Sequence, residues 1–132
     1  WWCGIRVTKI DHISCQVKVV HRWINQNPFK SMFWAVQGMA AELTTGVLIM
    51  EAIQNSKRKV SMLVLNNRAN FSKKARGKVL FECDEKQKLL KAMNQLVKTQ
   101  QPQTIWLTSK GIDQNGDIVS TFEFEWTLLL KN

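Results

Sequence analysis

Between Ser31 and about Asn55 the chain reads as one helix with almost no polar face. Ser31 is a plausible N-cap, because its hydroxyl can accept from an amide that has no partner in the first turn. At about 1.5 Å per residue, some 24 residues would span roughly 36 Å. Met32, Phe33, Trp34, Ala35, Val36, Met39, Ala40, Ala41, Leu43, Val47, Leu48, Ile49 and Met50 surround the axis, and Glu42 is the only charge between Lys30 and Glu51. A helix that is apolar all round is normally wrapped by other structure, not laid on a surface. Gly38 and Gly46 each cost about 1 kcal/mol relative to Ala inside a helix. Eight residues apart, they fall near one face, where they permit close backbone approach.

The rest of the chain supplies strands to wrap that helix. Gly4–Ile10 alternates, and Ile13–Arg22 carries one apolar face of Ile13, Cys15, Val17 and Val19, the pattern of a half-buried strand. Asn25 to Pro28 breaks the chain before the helix, since Asn-Pro favours a turn. After Lys57-Arg58-Lys59, Val60–Phe71 and Lys78–Cys83 flank a turn at Ala75-Arg76-Gly77. Gln103–Ile112 and Asp117–Leu130 flank an Asn115-Gly116 step, a strong hairpin signal. Between the two pairs lies a short amphipathic helix, with Asp84 as its cap, Gln87 at the capping-box position and a stripe of Leu89, Leu90, Met93, Leu96 and Val97. The order β-β-long α-β-β-short α-β-β is an α+β arrangement: antiparallel hairpins forming a curved sheet around one central helix.

With 132 residues, 45% hydrophobic and 22% charged, the chain reads as a single globular domain over residues 1–132, not a disordered tail, a fibre or a disulfide scaffold. No apolar run reaches the ~18 residues of a membrane span. A first residue of Trp, not Met, reads as a piece of a longer chain, which leaves targeting unreadable. Nineteen Lys and Arg against ten Asp and Glu give a net charge of +9. That charge suits an anionic partner: nucleic acid, an anionic membrane surface or a phosphate-bearing small molecule. Cys3, Cys15 and Cys83 are an odd count without a CxxC step, and His12 and His21 are not at ligand spacing, so no metal is expected. The cysteines read as reduced thiols filling strands in a cytoplasmic protein.

The most specific stretch is Asn27-Pro-Phe-Lys-Ser-Met-Phe33-Trp34-Ala35-Val-Gln-Gly-Met-Ala-Ala-Glu42-Leu-Thr-Thr-Gly46. Its spacing resembles that of the hotdog-fold acyl-CoA thioesterases: an Asn, a helix-start step six residues on, a helical acid nine residues later and a Gly four beyond that. Asn27, Phe33, Glu42 and Gly46 keep those intervals. The sequence is most similar to an uncharacterised thioesterase-like branch, related to the phenylacetate-pathway type thioesterases, and its closing Phe122-Glu-Phe-Glu-Trp126 is similar to that branch's last strand. The resemblance extends from about Gly4 to Lys131. One departure stands out, since Phe33-Trp34-Ala35 occupies the place where these thioesterases commonly carry His-Gly-Gly.

The resemblance implies hydrolysis of an acyl-CoA thioester at a site formed between two protomers whose sheets pair, giving a homodimer or a dimer of dimers. Glu42 would be general base or nucleophile, and Asn27 would orient the attacking water or hold the carbonyl. The amides around Trp34 and Ala35 would stabilise the developing oxyanion at the positive end of the helix. Phe33 and Ser31 would border the acyl group, and Lys73, Lys74 and Arg76 would clamp the phosphates of coenzyme A, which enters as part of the substrate and not as a cofactor. Two further readings stay open. One is a non-catalytic acyl- or CoA-binding protein of the same fold, favoured by the Phe33-Trp34 step. The other is a basic nucleic-acid-binding domain, favoured by the charge and six Trp. No ribonucleoprotein-type aromatic motif, GXXG clamp or zinc spacing supports the latter, so no nucleic-acid partner is expected.

Overall fold

A computed structural model of the chain describes residues 5–10, 14–20, 32 and 34–131. The elements are β1 (Ile5–Ile10), β2 (Cys15–Val20), α1 (Trp34–Ser56), β3 (Val60–Phe71), β4 (Lys78–Cys83), α2 (Lys86–Thr99), β5 (Gln103–Asp113) and β6 (Ile118–Leu130). The six strands form one antiparallel sheet in the order β1-β2-β4-β5-β6-β3, with α1 packed against one face. This is the α+β hotdog arrangement.

Strand alternation decides which face meets the helix. Cys15, Val17 and Val19 on β2, Val79, Phe81 and Cys83 on β4, and Phe122, Phe124, Trp126 and Leu128 on β6 are all buried. Period two places each set on one side of its strand. The helix glycines have a clear use. A side chain on Gly38 would point at the Phe122 ring, 3.5 Å away, and one on Gly46 at the Trp126 ring, 3.8 Å away. Eight helical residues rise roughly 12 Å and four strand residues roughly 13 Å, so the two spacings match. Three polar bridges fix the register of α1 on the sheet. Ser120 Oγ donates to Gln37 Oε1 at 2.7 Å, the hydroxyls of Thr44 and Ser109 meet at 2.9 Å, and Trp126 Nε1 donates to Thr45 Oγ1 at 2.9 Å.

Four sequence expectations need correction. First, β3 and β4 are not a hairpin. β3 pairs with β6 at the sheet edge, while β4 lies between β2 and β5, so residues 72–77 carry the chain across the sheet end. Second, α1 is not covered all round. Trp34, Met39, Glu42 and Met50 lie exposed along one side, because the sheet covers only part of the helix circumference. Third, Asp84 does not cap α2. Glu85 holds the N-cap position without a side-chain cap bond, and its carboxylate accepts from the Thr108 amide at 2.6 Å instead. Fourth, Lys86 is buried on α2 and paired with Glu51 of α1, while Leu90 of the expected stripe is exposed. The proposed cap Ser31 lies outside the described residues. Among the described residues, no helix is long and apolar enough to cross a membrane.

Cys15 and Cys83 face each other across β2 and β4 as fully buried thiols with no disulfide between them. Burial pushes the Cys83 thiol up to about 12. Folding therefore keeps a proton that the unfolded thiol, at about 8.5, gives up. Stability drawn from this group is intact below about pH 8.5 and is lost as pH rises toward 12. We expect peptides containing Cys15 and Cys83 to resist iodoacetamide in the native protein at pH 8 and to label fully in denaturant. Fast native labelling would mean that the strands open.

Candidate active site

The start of α1 meets the basic loop that follows β3. Met32, Trp34 and Gln37 on one side and Phe71, Ser72, Lys73, Lys74 and Ala75 on the other border an open cavity of about 410 Å³. Its walls are tied together by the backbone: Met32 N donates to Ala75 O at 2.9 Å, and Ser72 N donates to Val119 O at 2.9 Å. Gln37, which the sequence reading passed over, is buried and held at both ends of its amide, donating to Met32 O at 3.3 Å while accepting from Ser120. Its signal was a lone amide in an apolar run, which by itself does not distinguish a structural bridge from a site. Phe71 stands edge-on to Phe122 at 5.6 Å and supplies an apolar wall.

Trp34 and Ala35, expected to supply oxyanion donors, begin α1 and are exposed; Trp34 is one wall of the cavity and is 67% exposed. Trp126, by contrast, is buried against the helix. Glu42 lies two turns further along α1, roughly 12 Å along the axis. It is exposed, and its carboxylate has no ion-pair or hydrogen-bond partner among the described residues. It does not border the 410 Å³ cavity of its own chain. The other carboxylate of α1, Glu51, is paired with Lys86. Asn27, Ser31 and Phe33 lie outside the described residues.

The three expected phosphate ligands are not equivalent. Lys73 Nζ donates to Asp113 Oδ2 at 2.7 Å and to Asp117 Oδ2 at 2.9 Å. The hydrogen bonds to Asp113 and then Asp117 raise Lys73 above the ordinary lysine range, and the bond from Lys73 lowers Asp113 below the ordinary carboxylate range. Asp113 supports the clasp above about pH 3.9, and its support is lost as pH falls through its depressed value. Lys73 supports it below about pH 10.4 and ceases to do so as pH rises through its raised value. Both groups therefore stay charged across the physiological range. Lys74 has no such partner among the described residues; both lysines, with Arg76, Asp113, Gln114 and Asn115, border a second cavity of about 290 Å³.

A third cavity, about 600 Å³, lies at the far end of α1. Ile10 of β1, Val47, Met50 and Ile53 of α1, and Val60 and Met62 of β3 line it. It lies between the two edge strands, and Glu51 and Gln54 also line it.

Comparison with known proteins fits this architecture. A family model described as a domain of unknown function, DUF4442, matches residues 2–128. No curated protein matches the chain by sequence. A Pseudomonas aeruginosa protein of unknown function, described as a probable thioesterase, superposes with a TM-score of 0.86 at 18% identity, over 98% of this chain and 85% of the other. A Chlorobaculum tepidum protein of unknown function gives 0.83 at 13% identity, over 99% and 85%. A mutant of a thioesterase enzyme from Staphylococcus aureus gives 0.70 at 12% identity, over 99% and 96%. At these identities the likeness is one of fold.

Proposed function

The chain belongs to the DUF4442 family, and on that footing we propose that it is a thioesterase that hydrolyses acyl-CoA, its site shared between two protomers. One observation carries the reading. Of the two carboxylates on α1, Glu51 is paired with Lys86, whereas Glu42 has no partner among the described residues and lies on the side of the helix that the sheet leaves open. A carboxylate without a partner among the described residues, on a side of the helix that also exposes Trp34, Met39 and Met50, is one that a substrate or a second protomer can reach. The kinship with phenylacetate-pathway type thioesterases belongs to the same reading.

The reaction follows from the groups present. The thioester carbonyl lies at the start of α1, where the amides around Trp34 and Ala35 and the helix dipole favour negative charge on its oxygen. Glu42 of the partner subunit takes a proton from water as the water oxygen bonds to the carbonyl carbon. The carbon–sulfur bond then breaks, and the thiolate of coenzyme A leaves with the proton returned by that carboxylate. The products are a carboxylic acid and the free thiol. Asn27 would orient the water, and Phe33 and Ser31 would flank the acyl group. Lys74 and Arg76 would meet the phosphates beside the two cavities at the loop.

The shared site requires that two copies pair, and β3 is suited to that. It is a 12-residue edge strand with Leu63 and Leu65 exposed, a surface that proteins seldom leave unpaired. In a two-fold arrangement each substitution acts twice. We therefore expect the double variant Leu63→Lys and Leu65→Lys to run as a monomer in light scattering, with hydrolysis falling in proportion to the dimer lost. A wild-type monomer of full activity would refute the shared site.

The decisive assay is thioester hydrolysis across acyl chain lengths, comparing wild type with Glu42→Ala. Turnover by the wild type alone is the expected result, and equal turnover by both would remove the assignment. The separation of Glu42 from the cavity of its own chain favours a second reading, a CoA-binding protein without turnover. Saturable binding of acyl-CoA with no hydrolysis would establish that reading instead.

A further inference from the structure

We infer that Lys73 is a positioning residue: by clasping Asp113 and Asp117 it sets the loop so that Lys74 is the cation presented to the phosphates of the substrate. The inference rests on the acyl-CoA reading above.

Charge arithmetic separates the two lysines. The Lys73 ammonium lies within 2.9 Å of two carboxylates, so the group it belongs to carries a net charge of one negative unit. A phosphate approaching Lys73 would meet that negative group, and like charges repel. Asp113 cannot readily turn away. Its Oδ2 accepts from Lys73, its Oδ1 accepts from the amides of Asn115 at 2.9 Å and Asp117 at 3.1 Å, and its side chain is only 8% exposed.

The same contacts make the loop a built object. Its start is held by two amides, of Ser72 and Lys73, donating to Val119 O at 2.9 and 3.3 Å. Its far side is held by Ala75, which is 1% exposed and accepts from Met32 N. The Lys73 side chain closes the third side by joining the loop to the turn between β5 and β6. Lys73 and Lys74 both border the 410 Å³ space beside Trp34 and the 290 Å³ space beside Arg76, but Lys73 is held by two carboxylates and Lys74 by none among the described residues. Fixing the backbone of a long, flexible lysine beforehand lowers the ordering cost of binding an anion.

The test uses the intact protein with acyl-CoA, with the S-acyl pantetheine that lacks phosphates, and with adenosine 3′,5′-bisphosphate as a non-reacting probe. Lys74→Gln should raise KM for acyl-CoA about tenfold, the size of one lost charge-assisted contact, without raising it for S-acyl pantetheine. Lys73→Gln and the double variant Asp113→Asn with Asp117→Asn should both raise KM for acyl-CoA in the same direction, and Lys73→Arg should restore it. These two clasp variants, unlike Lys74→Gln, should also speed amide exchange at residues 72–76 without any ligand. If the double Asn variant instead lowers KM or tightens bisphosphate binding, the freed Lys73 is itself the phosphate contact and the inference fails alone. Unchanged amide exchange in the clasp variants also overturns the positioning role alone. If the wild type neither binds the bisphosphate nor turns over acyl-CoA, the acyl-CoA reading fails and takes the inference with it.

Discussion

Replacing Glu42 with glutamine is expected to lower kcat for acyl-CoA hydrolysis by about 10²- to 10⁴-fold, the usual worth of a positioned general base. The melting temperature should hardly move. Glu42 is exposed and its carboxylate holds no partner among the described residues, so glutamine removes a charge and breaks no structural bond. Surface changes of that kind stay within about 0.5 kcal/mol. Glu51→Gln is the control with the opposite profile. It removes one partner from the ion pair with Lys86, whose side chain is only 6% exposed, so its cost should fall on stability. A Glu42→Gln protein that melts far below wild type would mark the acid as structural. One that hydrolyses acyl-CoA at the wild-type rate would end the proposed mechanism.

Side-chain period told most of the elements but not their neighbours. The alternation of β2 marked Cys15, Val17 and Val19 as its inner face correctly, because a strand's side-chain period depends only on the strand itself. Pairing depends on partners far along the chain. β3 runs beside β6 with Val60 opposite Leu130, which no local pattern records, and the turn residues after Phe71 suited a hairpin equally well. The open side of α1 was hidden for a related reason. Met39, Leu43 and Met50 read as core whether the chain's own sheet or a second copy covers them. Within the site, Glu42 stood out because it is the lone charge in its segment. The tie between Lys73 and Asp113 did not, because 40 residues separate the two and each alone resembles a solvated turn residue. Lysines that sequence reading treats as one clamp are thus told apart by the fold, since Lys73 is tied to Asp113 and Asp117 and Lys74 is not.

The largest stability effect should come from the pair that closes the middle of the sheet. Phe81 on β4 lies directly opposite Gly111 on β5, is fully buried, and meets Phe122 at 6.2 Å. A side chain on Gly111 would place its Cβ 2.5, 2.7 and 3.0 Å from three carbons of the Phe81 ring. The glycine is therefore the space that the ring fills, an aromatic covering a bare stretch of neighbouring backbone. Phe81→Ala should cost about 3–5 kcal/mol, on the order of 10–20 °C in melting temperature. Gly111→Val overfills the same place and should cost about 1–3 kcal/mol or more, since a ring with no exposed surface has nowhere to turn. Combining the two removes the clash that makes the valine costly. The double variant should therefore be more stable than the sum of the single losses predicts, by about 0.5–3 kcal/mol. Denaturant melts of the four proteins measure that difference directly. Strict additivity would mean that the ring and the glycine do not share one space, and the packing account of this sheet would have to be abandoned.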